Sequence, residues 1–340
     1  ENEMIEGNGV TYQIKECIGY GGNCIVYEAK YKDYSGQIHT VRMKECYPYD
    51  LALIRREDKS LEVSGKHSDS FDLAKKRFRS AYEANIKLRE TLGLTNSTVD
   101  AVDLIETNNT FYTVMSVNEG CDFARHEDET LKGLLTHIMS VAKLLSIYHK
   151  NGYLHLDVKP ENIFILPETE EHILLLDYDT VIKKEELKRA DKLTLSFSKG
   201  FSAPEQQRDK IKNIGEWTDI YALGATLFYK LFGTVPDFEH CRMNSIYDYS
   251  QMKYDISAYQ PRLKRMLTDF FRHTVMISPS LRWHNMTSVI EALEKLCRAA
   301  DLDDVYLLNS ISLQSANFIG RSGELKQIHH LLSENNVVFI

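Results

Sequence analysis

The segment HLDVKPEN, residues 155–162, constrains this chain more than any other feature of its sequence. Asp157 and Asn162 lie five residues apart, and Asp177 follows at the end of the apolar run LLLD. An aspartate in this setting can accept the proton of an attacking hydroxyl, and the other two side chains can hold Mg²⁺ ions that neutralise phosphates. Phosphoryl transfer from a metal nucleotide depends almost entirely on positioning and charge stabilisation. The three residues therefore predict this reaction if they share one cleft.

A glycine-rich segment, IGYGGNCIVY at residues 18–27, has the pattern of a strand, a turn and a second strand. Gly19, Gly21 and Gly22 would let the backbone approach phosphates, because a residue without Cβ leaves its N–H group accessible. Taken alone, the segment fits a plain hairpin turn equally well. A short apolar strand follows and ends at Lys44, which in isolation would be a solvated edge lysine.

The order of glycine loop, strand lysine and paired-aspartate loop matches the signature of protein kinases. With these motifs the chain resembles a eukaryotic-type (Hanks-type) Ser/Thr protein kinase catalytic domain over about residues 10–298. The resemblance implies an α+β, bilobal fold. An antiparallel β N-lobe would occupy residues 1–116 and a mainly helical C-lobe residues 117–300, with ATP and Mg²⁺ bound between them.

The resemblance also assigns roles to single residues. Lys44 would contact the α- and β-phosphates and pair with a glutamate on a helix. Glu83 is the best match for that glutamate, within a predicted helix at residues 75–92. The long separation of Lys44 and Glu83 predicts an insertion at about residues 46–70. The implied catalytic residues are Asp157, Lys159 and Ser198, the metal ligands are Asn162 and Asp177, and the further nucleotide-binding residues are Ile18, Gly19, Gly21, Gly22, Val26, the gatekeeper Met115, the hinge residue Val117, and Phe164 beneath the adenine.

The segment SKGFSAPE, residues 198–205, resembles the end of a kinase activation segment. By this resemblance Glu205 would form an ion pair with the distant Arg282, and Asp219 would hold the catalytic loop from below. Small-molecule kinases that share the bilobal core generally lack this segment, so its presence favours a protein substrate, whose identity the sequence does not give.

Several positions depart from the kinase pattern. Cys24 replaces the third glycine of the loop, and Arg42 replaces an alanine two residues before Lys44. Because strand side chains alternate, Arg42 and Lys44 share a face. Arg42 would either crowd the adenine or turn toward phosphate. Asp179 replaces the glycine after the metal-binding aspartate, where it would add a ligand or face solvent.

Leu156 stands where kinases usually place an arginine before the catalytic aspartate, which makes the chain a non-RD variant. That arginine normally receives a phosphate on the activation segment, so its absence removes the usual phosphate-operated switch. Two other functions stay open at this point. A pseudokinase that binds nucleotide as a scaffold would explain Arg42 and Asp179, and a small-molecule kinase is the third alternative.

Composition limits the partners of the chain. Forty-one basic and 49 acidic residues give a net charge of −8, which argues against a general nucleic-acid binder or an anionic-membrane binder. The six cysteines show neither paired nor metal-ligand spacing, which favours a reducing compartment and hence a cytoplasmic location. No stretch approaches 18 consecutive apolar residues.

The last forty residues carry a separate pattern. After a linker at residues 301–316, the segment 317–340 contains Phe-x-Gly-Arg, Glu-Leu, an amphipathic helix pattern and an apolar strand. This order resembles the entry to a STAND-class NTPase, in which such a strand leads into a Walker loop. We therefore expect the full-length protein to continue into an NTPase domain. The alternative is a C-terminal helix and strand that pack on the kinase lobe.

Overall fold

A computed structural model describes residues 3–20, 23–92, 101–117, 120–167, 173–176, 180–189, 197–206, 211–237, 239–242, 247–256 and 261–301. Several positions predicted to be functional lie outside these ranges, namely Gly21, Gly22, Asp177, Asp179 and residues 317–340.

A six-stranded antiparallel sheet forms the N-terminal lobe. Alternate residues of its strands, such as Val41 and Met43, are buried, as expected for strands with one face on a core. These side chains pack in one cluster with Tyr12, Ile105 and Val114. The strands lie in the order β1-β2-β3-β4-β8-β7, with β1 at Met4–Gly7, β2 at Val10–Tyr20, β3 at Cys24–Lys32, β4 at Ile38–Cys46, β7 at Ala101–Thr107 and β8 at Thr110–Ser116.

The chain between β4 and the first helix is an insertion that packs against the sheet. It holds short 3-10 turns and the small hairpin of β5 (Ile54–Arg55) and β6 (Leu61–Glu62). Leu61 packs with Leu51 and Phe71 in a cluster of its own. The main-chain oxygen of Leu61 also accepts a hydrogen bond from Asn109 Nδ2 at 2.8 Å. These contacts connect the insertion to the β7–β8 turn and to the helix that follows.

Helix α1, Ser68–Leu92, is longer than the predicted helix, which was placed at residues 75–92. Its buried residues recur at helical spacing and include Phe71, Phe78, Ala81 and Ala84. The extra turns at the start of α1 are explained by Phe71, which packs into the core of the insertion. That insertion core forms only in the folded protein, so the local pattern did not reveal the true helix start.

The C-terminal lobe is built around α4, whose side chains are mostly buried. Helices α2 and α6 pack beside it in a single large core. Thr130 and Asn285 cap the starts of α2 and α6, since their side-chain oxygens accept hydrogen bonds from backbone N–H groups. The helices are α2 at Leu131–Lys150, α3 at Lys184–Arg189, α4 at Glu216–Phe232, α5 at Pro261–Arg272 and α6 at Met286–Ala299.

Five short strands hold the segment HLDVKPEN at both of its ends. The strand before it, β10 (Tyr153–Leu154), pairs with β13 (Ile182–Lys183). The strand after it, β11 (Ile163–Ile165), lies between β12 (Ile173–Leu175) and β9 (Cys121–Asp122). Residues 155–162 therefore form a fixed loop at the top of the C-terminal lobe.

The six cysteines all lie within the described ranges, and none of them is in a disulfide bond. Within the described ranges, the helices lack the combination of length and apolar character that crossing a membrane requires.

Candidate active site

Asp157 is the centre of the site. Only 4% of the residue is exposed. Its Oδ1 accepts a hydrogen bond from Ser198 Oγ at 2.6 Å, and its Oδ2 accepts from Lys159 Nζ at 2.8 Å and from Asn162 Nδ2 at 2.8 Å. Lys159 Nζ also donates to Ser198 Oγ at 2.8 Å. Three side chains, up to 41 positions away in sequence, thus converge on this one carboxylate.

This arrangement can bind and deprotonate a hydroxyl group. The hydrogen bonds fix the orientation of the Asp157 carboxylate, which is a requirement for an effective general base. Ser198 shows that a hydroxyl can donate to Oδ1 at hydrogen-bond distance. The Lys159 ammonium adds a positive charge beside this carboxylate, where it can stabilise charge that develops during the reaction.

The segment 155–162, which is the predicted catalytic loop, is held by Asp219, as the sequence led us to expect. Asp219 is completely buried in α4, and its carboxylate accepts hydrogen bonds from the backbone N–H groups of His155 at 3.0 Å and Leu156 at 2.8 Å. His149 Nε2 lies 2.8 Å from the same carboxylate. Burial by itself would raise the pKa of Asp219, but the hydrogen bond and the charge of His149 hold it below its ordinary value. Asp219 therefore stays ionised and fixes the loop backbone.

Leu156 has an unusual backbone conformation, with φ of 64° in the left-handed region. Residues other than glycine seldom adopt this conformation, and it costs on the order of 1–3 kcal/mol. The loop retains it because both backbone groups are bound: the N–H group donates to Asp219, and the carbonyl accepts from Gln206 Nε2 at 2.8 Å. Gln206 follows the segment SAPE, so this bond joins the end of the activation segment to the catalytic loop.

The side chain of Leu156 is buried in an apolar cluster. Its neighbours there are Leu154, Leu187 and Ile214, and Leu187 belongs to α3 in the activation segment. Where the resembled family usually places a guanidinium, this chain therefore packs one apolar side chain against others. The contact with α3 needs no phosphate to form.

The end of the activation segment is anchored by an ion pair in the protein interior. Arg282 donates from NH1 and NH2 to the two oxygens of Glu205, at 2.7 and 3.0 Å, and both side chains are almost fully buried. Thr218 Oγ1 donates to Glu205 at 2.9 Å. The pairing expected from the sequence is thus present, and it fixes the segment 198–206 beside Asp157.

The side chain of Asn162 offers the kind of oxygen atom that binds a hard cation. Its amide nitrogen donates to the Asp157 carboxylate and to the Asp157 main-chain oxygen, the latter at 2.9 Å. These bonds leave the amide oxygen as its ligand atom, and oxygen is the ligand type that Mg²⁺ prefers. The main-chain oxygen of Asn162 accepts from Leu176 N at 2.7 Å, which brings the chain just before Asp177 to the same place. Asp177 itself lies outside the described residues.

The predicted nucleotide-binding residues of the N-terminal lobe share one face of the sheet. Val26 lies opposite Lys44 in the β3–β4 register, and Met115 lies opposite Arg42 in the β4–β8 register. Residues directly opposite in an antiparallel pair point to the same side, and so do residues two apart in one strand. Arg42 lies on this face too, and its side chain is exposed to solvent.

The remaining nucleotide-binding candidates lie at the edges of the same region. Gly19 pairs with Val26 across the β2–β3 hairpin, beside the exposed Ile18. Phe164 is buried in β11 opposite Asp122, and Val117 is half-exposed directly after β8. Gly21 and Gly22 lie outside the described residues.

Glu83 lies elsewhere than expected. Its side chain is 62% exposed and forms an ion pair with Arg79 Nε at 3.1 Å along α1. The buried stripe of α1 runs through Phe78, Ala81 and Asn85. At 100° per residue, Glu83 projects from the opposite side of the helix. The assignment of Glu83 as the partner of Lys44 is therefore corrected: in this structure its carboxylate faces solvent.

Several residues that support the site were not singled out from the sequence. His149, Thr180 and Gln206 all bind the catalytic loop or Asp219, and Thr180 Oγ1 donates to the main-chain oxygen of His155 at 2.7 Å. Their only sequence signal is a polar residue at an interior position of a helix or next to a motif. For His149 that signal was visible, since it lies four residues after Leu145 and so continues the apolar stripe of α2.

Comparison with known proteins identifies the family to which this chain is similar. A family model described as a protein kinase domain matches residues 52–296. Serine/threonine-protein kinase D of Synechocystis is 26% identical over 227 residues, covering 63% of this chain and 42% of that protein. A probable serine/threonine-protein kinase of Clostridium perfringens is 24% identical, covering 67% of this chain and 30% of that protein. The chain thus spans less than half the length of these two relatives.

A structural comparison agrees on the fold. The crystal structure of the BubR1 kinase domain superposes with a TM-score of 0.59 at 16% identity, covering 92% of this chain and 86% of that one. At this identity the likeness concerns the fold alone. Together with the six-stranded antiparallel sheet and the helical C-terminal lobe, it confirms the bilobal α+β fold expected from the sequence.

Proposed function

The chain belongs to the protein kinase family, and we propose that its kinase domain transfers the γ-phosphate of ATP to Ser or Thr hydroxyls of a protein substrate. The matched relatives are named as serine/threonine-protein kinases, which supports this specificity. The observation that carries the proposal is the Asp157 carboxylate, which Ser198, Lys159 and Asn162 hold in one orientation.

In this mechanism the substrate hydroxyl donates to Asp157 as Ser198 Oγ does in the structure. Asp157 would accept the proton as the hydroxyl oxygen attacks the γ-phosphorus of ATP, and the bond from that phosphorus to the bridging oxygen of the β-phosphate would break to release ADP. Lys159 supplies positive charge beside the carboxylate, and Ser198 keeps both groups in place. The anchored end of the activation segment, fixed by Glu205 and Arg282, gives a protein substrate a firm surface next to the catalytic base.

We assign Mg²⁺ as the metal, with Asn162 and Asp177 as its ligands. The amide oxygen of Asn162 fits this role, because the amide nitrogen is already used in bonds to Asp157. Bound Mg²⁺ would neutralise the charge on the phosphates. Lys44, Val26 and Met115 would then form the wall of the nucleotide site, with Phe164 as its floor.

The decisive experiment compares phosphate incorporation into a generic protein substrate by the wild type and by Asp157→Asn. General-base roles contribute about 10²–10⁴ in rate, so we expect Asp157→Asn to lose at least about a hundredfold while nucleotide binding is kept. Asp58→Asn, an exposed carboxylate in the insertion, is the control and should behave as the wild type. Equal incorporation by the wild type and Asp157→Asn would refute the activity and leave a nucleotide-binding scaffold.

We further propose that this kinase, a non-RD variant, works without phosphorylation of its activation segment. Leu156 supplies no cation beside Asp157, and its side chain holds α3 by apolar packing. Replacing Thr194 and Ser196, which lie outside the described residues, by alanine together should change the rate of phosphate transfer little. A large loss that acidic replacements restore would show that another basic residue operates a phosphate switch.

For the rest of the protein we propose a cytoplasmic location and a C-terminal NTPase domain. Six cysteines without a disulfide bond among them support a reducing compartment. The pattern of residues 317–340, which lie outside the described residues, supports the NTPase module. The parent gene decides the second point: we expect a loop ending in Gly-Lys-Ser or Gly-Lys-Thr within about 15 residues of Ile340. A stop codon there, or an extension without such a loop, refutes it.

A further inference from the structure

Three potential metal ligands gather where the segment after β9 meets the start of α2. They are His126, Asp128 and His137, and one ligand atom from each lies within 4.8 Å of the other two. His137 Nδ1 is 2.6 Å from Asp128 Oδ1, and His126 Nε2 is 3.4 Å from the same oxygen. None of the three belongs to the phosphotransfer site described above.

Two of the three side chains in the cluster are buried, and one of them has an oxygen atom without a hydrogen-bond partner. The side chains of Asp128 and His137 are 3% and 6% exposed, whereas that of His126 is 29% exposed. Within the described part of the chain, Asp128 Oδ2 has no hydrogen-bond partner. A buried carboxylate oxygen without a partner is costly. A bound cation would satisfy it, and the partial exposure of His126 gives such a cation access.

The two imidazole rings approach the carboxylate from different directions. Their centroids are 5.1 Å apart and their planes are nearly perpendicular, at 86°. His126 Nδ1 lies 3.8 Å from Cys121 Sγ, so Nε2 is the atom on the Asp128 side. An outer partner of this kind orients a ligating histidine. Two imidazole nitrogens and one carboxylate oxygen form a common three-residue zinc set, whose fourth position is left for water.

The positive charge of Lys230 lies close to the cluster. Lys230 Nζ donates to the main-chain oxygens of Phe123, at 2.9 Å, and of His126. Burial, the largest effect, lowers the pKa of Lys230, while Glu127 and Asp128 raise it. The ammonium of Lys230 weakens the attraction of the site for a cation. The negative charge of the Asp128 carboxylate opposes this effect. Without a metal, the same residues would form a hydrogen-bonded His–Asp–His chain.

We propose that His126, Asp128 and His137 bind a zinc ion that joins the segment 121–130 to α2. This segment begins with β9, whose Asp122 lies opposite Phe164 in β11. The zinc ion therefore stabilises the part of the C-terminal lobe that carries the predicted floor of the nucleotide site. Its role is separate from the metal of phosphoryl transfer.

Metal-free full-length chain, without nucleotide or Mg²⁺, is titrated with ZnCl₂ by calorimetry and by thermal unfolding. We expect the wild type to bind one equivalent with a rise in its unfolding midpoint. His126→Gln and Asp128→Asn should each weaken binding at least about tenfold and lose most of that rise. Cys121→Ala, which removes only the outer partner of His126, should weaken binding about tenfold.

The matched control is His39→Gln. His39 Nε2 pairs with Asp33 Oδ2 at 2.7 Å, the same chemistry without a third ligand, so this variant should keep the full zinc response. If Asp128→Asn does not fold, His126→Gln decides, because its ring is partly exposed. No zinc-dependent rise in the wild type overturns the proposal. So does an equal response of the wild type and His126→Gln, which would place zinc on others of the 12 histidines or six cysteines.

A Co²⁺ substitution identifies the ligand atoms independently. Cobalt bound by two imidazoles and a carboxylate gives visible ligand-field absorption without a thiolate charge-transfer band. We expect that spectrum from the wild type and its loss in His126→Gln. A thiolate band would assign the metal to cysteine and contradict the site.

Discussion

Glu45, in β4, is a carboxylate with no exposed surface in the middle of the N-terminal lobe. It accepts hydrogen bonds from the hydroxyls of Tyr27 and Tyr112 and from Arg55 NH2, each at 2.7 Å. Burial, followed by the adjacent carboxylate, raises the pKa of both tyrosines. The hydroxyls therefore stay protonated and act as donors. Arg55, in the insertion, supplies the compensating positive charge. The ion pair of Arg55 with Glu45 therefore helps to join the insertion to the sheet.

Arg55→Met should destabilise the domain far more than Arg56→Met. The first change leaves a buried carboxylate without its charged partner, which costs about 3–5 kcal/mol when nothing else compensates. The two tyrosine hydroxyls reduce that cost, so we expect about 2–3 kcal/mol. Arg56 pairs with Glu62 at the surface, where both side chains are about half-exposed, and such pairs are worth about 0–1 kcal/mol. Denaturant unfolding measures both, and equal losses would contradict this role of Arg55.

At the scale of elements, one partly buried network joins α2, the catalytic loop and α4. His149 in α2 lies between Asp219 and Glu216, with Nε2 2.8 Å from the first and Nδ1 3.5 Å from the second. Burial by itself would lower the pKa of His149, but both carboxylates raise it above 6.5. The adjacent His149 imidazole, with a smaller contribution from Lys184, lowers the pKa of Glu216 to about 2. Lys184, at the start of α3, also donates to Glu216 and to the His149 main-chain oxygen.

This network predicts a pH-dependent stability. The raised pKa of His149 gives stability that is fully present below pH 6.5 and is lost as the pH rises through the folded-state value. The lowered pKa of Glu216 gives stability that is present above pH 4.5 and is lost as the pH falls toward about 2. The free-energy difference between the wild type and His149→Gln should therefore be largest between pH 4.5 and 6.5 and shrink toward pH 9. Denaturant unfolding across this range checks it, and a difference that grows with pH would be contrary to the network.

The sequence predicted the bounds of a helix well where local residues set them, and poorly where a contact with a distant segment set them. The sequence predicts an amphipathic helix at residues 131–150, and the structure has α2 at Leu131–Lys150. The resemblance to kinases predicts a last helix at residues 287–299, and the structure has α6 at Met286–Ala299. Both carry a clear apolar stripe and a capping residue at the start. Helix α1 differs at its start because Phe71 packs on the insertion, a contact that no local pattern contains.

At the scale of the molecule, the short motifs predicted which side chains lie around Asp157, and the packing of the chain decided the other contacts. Asp157, Lys159 and Ser198 meet as expected, because the loop that carries them is fixed at both ends by short strands. Glu83 did not follow its expectation, since the face that a helix buries is chosen by the core and not by one motif position. Gln206 contributes to the site only through the fold, because its contact with Leu156 spans 50 residues.

The packing also predicts where the kinase domain can end. Helix α6 places Val289, Leu293 and Leu296 in the large core, and Ala300, just beyond it, is still buried. Lys132 at the start of α2 forms an ion pair with Asp301, which ties the end of this region to the lobe. These contacts complete the described C-terminal lobe at residue 301.

A chain of residues 1–301 should therefore unfold within about 2 °C of the chain of residues 1–340, a change below about 1 kcal/mol, and should transfer phosphate at the same rate. A chain that stops at residue 285 is the control. It lacks α6, and the loss of several buried side chains at about 2–5 kcal/mol each should abolish folding. Thermal unfolding and phosphate incorporation compare the three chains. If residues 317–340 instead completed the kinase lobe, the 1–301 chain would lose stability, whereas an NTPase entry segment leaves it unchanged because its own contacts lie in the next domain.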